Sequence, residues 1–249
     1  MTGRDMREIV NAKEALRQRV WALLQRRRAG RFPYPLAGRI PNFVGAERAA
    51  ERAAALPEWR AAERLKCNPD APQRPLRLRA LQEGKLVFMA VPRLTAARCF
   101  LMLDPRRLGR RLAAAATIAG AARHGVAVGP EALGRIDLIV AGSVAVNARG
   151  ERVGKGGGYS DLEFALARAV GAVDDRTTVL TTVHDLQVVP VAIPMTPHDV
   201  PLDVIVTPTR VIRPRRRLPR PAGLRPEELS PEQVRAMPAV RRLLERAGA

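Results

Sequence analysis

The chain has 249 residues, 47% of them hydrophobic and 4% aromatic, with 43 Lys and Arg against 24 Asp and Glu, a formal net charge of +19. That length and apolar content suit one large core. The absence of any apolar run of about 18 residues, together with the charged start, speaks against a membrane span and a secretory signal, so the chain reads as cytoplasmic. Cys67 and Cys99 stand far apart without His or Cys at metal spacing, which argues for reduced core thiols over a zinc site or a disulfide framework. Lysine occurs only at 13, 66, 85 and 155, so arginine carries the surplus charge. This surplus fits either a nucleic-acid partner or an arginine-rich composition, and the scarcity of aromatics for base stacking weighs against the first.

In chain order, Ile9, Val10, Leu16, Val20, Leu23 and Leu24 recur at near-helical spacing through residues 5 to 29, which predicts an amphipathic first helix. Lys13 and Arg17 then fall one turn apart, either as a solvated pair or as two cations able to approach one polyphosphate. A proline-rich loop at Phe32 to Pro35, an alanine-rich helix around 45 to 56 and a turn at Asn68 to Pro72 follow. Leu76 to Gln82 reads as a helix stopped by Gly84, Leu86 to Val91 and Cys99 to Leu103 as strands, and Asp104-Pro105 as the start of a helical stretch to about Ala122, broken near Thr117 to Gly120. Beyond it, strand (Ile136 to Val146), helix (Ser160 to Ala169), strand (Thr177 to Val183) and strand (Val204 to Thr207) alternate as in layered α/β sheets.

Between the strand at 136–146 and the helix at 160 lies Arg152-Val153-Gly154-Lys155-Gly156-Gly157-Gly158-Tyr159-Ser160-Asp161. Glycines there let the backbone turn through positive φ and bring its amides close to an anion, and the helix adds the positive end of its dipole. The segment meets neither the Walker pattern nor the Rossmann fingerprint, so it reads either as a phosphate loop or as a tight strand-helix turn. From Arg213 the chain becomes rich in Arg and Pro, with ten arginines and four glutamates to its end. That composition predicts a solvated, mobile tail or a contact to a partner or RNA, with a last short helix capped by Ser230, started at Pro231 and ending near Gly248.

The order strand, short turn, Arg-x-Gly-x-Gly-x-Gly-Tyr-x-Asp, helix resembles the 5-formyltetrahydrofolate cyclo-ligase (methenyltetrahydrofolate synthetase) family. Lys13 and Arg17 match its N-terminal Lys-x-x-x-Arg, and Gln187 with Pro197 to Thr207 matches its closing loop and strand. The resemblance runs from about residue 10 to about 212. Arg39 to Phe43, Lys66 to Gln73, the loop running into Asp161-Leu162-Glu163, and Thr181 to Asp185 bring the chain nearest to the branch called methenyltetrahydrofolate synthetase domain-containing proteins.

The resemblance implies an α/β three-layer sandwich around a central, mostly parallel sheet, of the NagB/RpiA-like kind, over residues 1–212, followed by the tail at 213–249. It implies an ATP-dependent ligase of one-carbon metabolism that phosphorylates the formyl oxygen of 5-formyltetrahydrofolate and closes the ring to 5,10-methenyltetrahydrofolate. The implied partners are the folate, ATP and Mg²⁺. Lys13, Arg17, Arg152 and Lys155 would neutralise phosphate, with Gly154, Gly156, Gly157, Gly158 and Tyr159 around it. Lys155 and Asp161 would carry catalysis, and Asp161 and Asp199 would be magnesium ligands. Asp161 reads equally as an ordinary first-turn acid, Tyr159 as a packed turn residue, and His198 as a loop-ordering group or a proton shuttle. His184 fits a pocket position. On the folate side the match weakens: Tyr159-Ser160 replaces a paired tyrosine, and Pro69 to Arg79 holds only Asp70 where a folate-contacting glutamate is expected. The alternative is therefore a non-catalytic relative that binds nucleotide or RNA, or a scaffold whose loop binds nothing.

Overall fold

The computed structural model describes residues 3–247. Its strands are β1 (Gly30–Arg31), β2 (Asn42–Phe43), β3 (Arg64–Cys67), β4 (Leu86–Ala90), β5 (Phe100–Leu103), β6 (Val126–Val128), β7 (Leu138–Ala141), β8 (Ala145–Val146), β9 (Arg152–Val153), β10 (Thr178–Thr182), β11 (Val204–Val206) and β12 (Val211–Ile212). Its helices are α1 (Gly3–Arg26), α2 (Ala46–Ala54), α3 (Pro57–Ala61), α4 (Arg74–Gln82), α5 (Pro105–Leu108), α6 (Leu112–Ala115), α7 (Ile118–His124), α8 (Tyr159–Ala169), α9 (Pro231–Ala236) and α10 (Pro238–Ala247).

An 8-stranded sheet in the order β12-β11-β10-β7-β3-β4-β5-β6 forms the centre, parallel from β11 through β10, β7 and β3 to β4 and antiparallel at both edges. Alternate side chains of each strand face opposite layers. Leu65, Val87, Leu138 and Val140 pack under α2, α3 and α4 with Ala53, Trp59 and Leu76. Phe88, Ile139, Val179 and Ile205 pack against Phe164 and Leu166 of α8 and Val240 of α10. This is the expected three-layer α/β sandwich. Over one end, α1 lays Leu16, Val20 and Leu24 on the small hairpin β8–β9.

Several expectations are corrected. The strand expected over 136–146 is two, because the chain leaves the sheet at Gly142-Ser143 and turns into the β8–β9 hairpin. The central strand β3 lies just ahead of the expected turn at Asn68 to Pro72, where no element was foreseen, and β6 and β12 were not foreseen either. The helical stretch from Pro105 breaks near Thr117 as expected, and the Thr117 side chain caps α7 by accepting from the Gly120 amide. Nor does the charged segment after 212 hang free: Met237, Ala239 and Val240 are buried beside α8, Arg213 pairs with Glu58, and Arg220 pairs with Asp203. Ser230 caps α9 in a reciprocal capping box with Gln233, and Met237 separates α9 from α10; the helix stop expected near Gly248 lies outside the described residues. Cys67 and Cys99 are free and buried, and burial pushes their thiols up to about 11 and about 12. Among the described residues no helix is long and apolar enough to cross a membrane.

Candidate functional site

Strands β3 and β7 are neighbours, yet the chain leaves them in opposite directions, to β4–β6 on one side and β10–β12 on the other. In open α/β sheets such a reversal opens a crevice beyond the carboxyl ends of the strands, where ligands bind. Asn68-Pro69-Asp70 follows β3 and Gly142-Ser143 follows β7, so both loops rim that crevice. Gly142 is needed for the approach: a Cβ there would lie 3.0 Å from Asp70 Oδ2 and 3.0 Å from the Ile40 side chain.

The glycine loop enters the same crevice from β9. Gly156 (φ +109°) and Gly158 (φ +67°) take backbone conformations that L side chains rarely adopt, and Gly158 starts α8 without any side-chain cap. Among the described residues the amides of Gly156, Gly157, Gly158 and Tyr159 meet no protein acceptor. Uncapped amides at a helix start, with the dipole behind them, form an anion site once cations supply the charge.

The cations are there. Lys13 and Arg17 are each only 8% exposed, which decides against a solvated pair on α1. Lys13 Nζ donates to Asp199 Oδ2 at 2.5 Å, and Arg17 Nε donates to the Gly154 carbonyl at 2.7 Å. Arg152, 3% exposed, pairs with Asp161 and donates to the carbonyls of Gly142 (3.1 Å) and Val200 (3.2 Å). Lys155, half-exposed, reaches Asp70 at 3.2 Å. The sequence-predicted set Lys13, Arg17, Arg152, Lys155, Asp161 and Asp199 is thus joined in one network around the loop. Asp70, which the sequence marked as a turn residue and as the only acid where a folate-contacting glutamate is expected, closes it.

The acids hold these cations in place. Asp199 Oδ2 also accepts from the Thr196 amide (2.6 Å) and hydroxyl (2.7 Å). Burial pushes the Asp199 carboxyl up, but Lys13 and the Thr196 bonds outweigh it and hold the group below the ordinary carboxylate range. Asp161 Oδ1 accepts from the Val200 amide at 3.0 Å, so the turn at 196–200 grips Lys13 through Asp199 and Arg152 through Val200. Both acids fit a magnesium ion poorly, since each already holds a cation of the protein. Among the described residues no three His, Cys, Asp or Glu side chains gather to hold a metal.

Below the crevice lies a polar layer the sequence did not reveal. Lys66 of β3 forms a buried ion pair with Glu163 of α8 and donates to Asn68 Oδ1 at 2.7 Å. Burial raises the Glu163 carboxyl, with Lys66 acting against it. Arg77, 1% exposed, donates to the carbonyls of Asn68, Pro69 and Asp70 and so fixes the loop after β3. Lys66 and Glu163 lie far apart in the chain, and only the motifs Lys66 to Gln73 and Asp161-Leu162-Glu163 hinted at this layer.

Other expected residues fall as follows. Tyr159 opens α8, packs partly buried on the core, and would meet a Cβ on Gly157 at 2.9 Å, which makes it a wall of the loop. His184 accepts from the Leu186 amide and stacks edge-on against Phe43, and burial lowers its basicity. Gln187 bonds the carbonyls of Ser143 and Val144 and props the loop after β7. His198 turns away from the cation network to Glu228 at 2.5 Å, an arrangement that orders its loop.

The model of the 5-formyltetrahydrofolate cyclo-ligase family matches residues 9–208. Proteins called methenyltetrahydrofolate synthase domain-containing protein are similar over nearly the whole chain: 39% identical in Bos taurus (93% of this chain, 62% of the relative) and 35% identical in Homo sapiens (96% of this chain, 63% of the relative). This chain thus spans about 62% of the length of such relatives. Among solved structures, that of Aquifex aeolicus 5,10-methenyltetrahydrofolate synthetase shares the fold at a TM-score of 0.51 and 21% identity, covering 83% of this chain and 95% of that one. With the family model matched across the sheet, the glycine loop and the Lys13 helix alike, this chain belongs to the 5-formyltetrahydrofolate cyclo-ligase family.

Proposed function

We propose that the chain binds ATP in the crevice between β3 and β7 and uses it to convert 5-formyltetrahydrofolate to 5,10-methenyltetrahydrofolate. The observation that carries this reading is the convergence of Lys13, Arg17, Arg152 and Lys155 on one uncapped glycine loop at the sheet's reversal point. The formyl oxygen attacks the γ-phosphorus while the bond to the β–γ bridging oxygen breaks and ADP leaves. The neighbouring folate amine then attacks the activated carbon and loses its proton, and inorganic phosphate carries away the former formyl oxygen.

Catalysis of this kind is positioning and neutralisation of charge. The loop amides and Arg17 line the phosphate chain. Lys155, the most exposed of the four cations at 46% side-chain exposure, would exchange Asp70 for the transferring phosphoryl group. Arg152 is aimed by Asp161, so the proposed contribution of Asp161 is to hold that guanidinium. Magnesium is proposed to arrive bound to the nucleotide, since Asp161 and Asp199 already serve the protein's own cations.

Purified protein mixed with 5-formyltetrahydrofolate and Mg·ATP should form the methenyl product, followed by its absorbance. ATP binding by calorimetry without product would favour the second reading, a nucleotide-binding relative without turnover. That reading draws on the folate side, where Pro69 to Arg79 holds no glutamate. Absence of ATP binding would reject both.

A further inference from the structure

The segment from 213 onward lies outside the family model, which ends at 208. Yet the human relative's alignment covers 96% of this chain and so runs well into it. In the structure this arm touches the stretch 198–203 at both ends. Arg220, its side chain 5% exposed, pairs with Asp203 and donates to the Asp174 and Thr177 carbonyls. Farther along, Glu228 Oε2 meets His198 Nδ1 at 2.5 Å, while its other oxygen accepts from Arg225 Nε at 2.6 Å. Met237, Ala239 and Val240 then anchor the arm in the same core cluster as Val200, Leu202 and Phe164.

His198 sits in the turn that grips two of the phosphate-facing cations, between Thr196, which bonds Asp199, and Val200, which bonds Arg152 and Asp161. A contact that fixes His198 fixes this turn. We propose that Glu228 is a positioning residue of the nucleotide site: acting through His198, the arm sets the 196–200 turn and with it Lys13 and Arg152. The proposal rests on the ATP-binding reading above and adds a part that the family model does not contain.

The test is calorimetry of Mg·ATP on the full chain and on the variants Glu228→Ala, Glu228→Gln, His198→Ala and the double variant, each with its thermal midpoint. Glu228→Ala should weaken ATP by about three- to tenfold, the scale of coupled neighbours. Glu228→Gln, which keeps an acceptor for His198, should recover part of that loss, and the double variant should be no worse than either single one. Met237→Ala, a purely packing change in the same arm, should lower the thermal midpoint while leaving ATP affinity of the folded protein within twofold or so, which separates positioning from bulk stability. If wild type binds ATP and Glu228→Ala binds it equally well, or if the two single losses simply add in the double variant, the positioning role is overturned while the nucleotide site stands. If wild type binds no ATP, the nucleotide reading is overturned and this proposal with it.

Discussion

Lys155 and Asp70 face each other across the crevice at 3.2 Å, and their opposite charges give opposite signs to two substitutions. On the proposed ATP-binding reading, Lys155→Ala removes a cation proposed to bond phosphate and leaves the Asp70 carboxylate uncompensated beside the loop, so ATP binding should weaken by about 1 to 3 kcal/mol. Asp70→Asn removes the competitor for Lys155, so ATP binding should strengthen by about 0.2 to 1 kcal/mol, the usual range of a partly exposed pair. Calorimetry decides: weaker binding by Asp70→Asn would mean that Asp70 does more than hold Lys155. The residues of this site divide by how they were legible. Lys13, Arg17, Arg152, Lys155, Asp161 and Asp199 stood out because they sit in motifs of recognisable spacing, and the structure brings them together. Asp70 was legible only in a turn and in place of an expected glutamate, since its partner Lys155 lies 85 positions away, and Thr196 was not singled out, its partner Asp199 lying in the same turn. The magnesium role read for Asp161 and Asp199 followed from the family resemblance, and their engagement by Arg152 and Lys13 is visible only in three dimensions.

At the scale of elements, α1, α8, β4, β5 and β10 were readable because each has an apolar period that does not depend on the rest of the fold. Strand β3, which borders the crevice, was not. Its residues Arg64-Leu65-Lys66-Cys67 carry two cations, and Lys66 is buried only because Glu163 meets it from α8. That buried pair ties the strand to the helix that starts at the phosphate loop. Removing one partner strands the other without compensation, so Lys66→Met should cost about 3 to 5 kcal/mol, whereas Lys66→Met with Glu163→Leu should recover most of the loss. Urea denaturation of the single and double variants checks this. A double variant as unstable as Lys66→Met alone would show that the cost comes from packing and not from the unpaired carboxylate.

Over the whole molecule, the Arg- and Pro-rich composition after residue 212 had suggested a free tail, but several of its arginines are paired with acids of the fold, while the net surplus of +19 remains. Arg213 serves Glu58, Arg217 and Arg220 serve Asp203, and Lys13 serves Asp199. Composition could announce the basic residues and not their partners, because some pairs join residues far apart in the chain, such as Arg213 with Glu58 and Lys13 with Asp199. Pairing of this kind makes stability depend on pH. Hydrogen bonding to Arg213 lowers Glu58, and at Asp199 and Glu151 burial acts upward but is outweighed by bonds to Lys13 and Thr196 and to Arg149, Ile193 and Asn147. Each of these carboxyls titrates lower in the folded chain than in the unfolded one. The native state therefore binds fewer protons, and their contribution is full above the unfolded carboxylate range near about pH 4 and is lost as pH falls through the folded values. Glu163 is shifted the other way, so its contribution declines as pH rises and partly flattens the curve. Unfolding free energy should thus hold from neutral pH to about pH 5 and fall steadily below about pH 4, where a strongly basic chain also gains self-repulsion as its acids neutralise. Asp199→Asn should make that acid limb shallower while lowering stability at pH 7, because the variant has already lost at neutral pH what protonation removes from the wild type. Denaturation curves at pH 7 and pH 3.5 on both proteins read this directly. An acid limb of equal steepness in Asp199→Asn would show that the Lys13–Asp199 pair does not govern it.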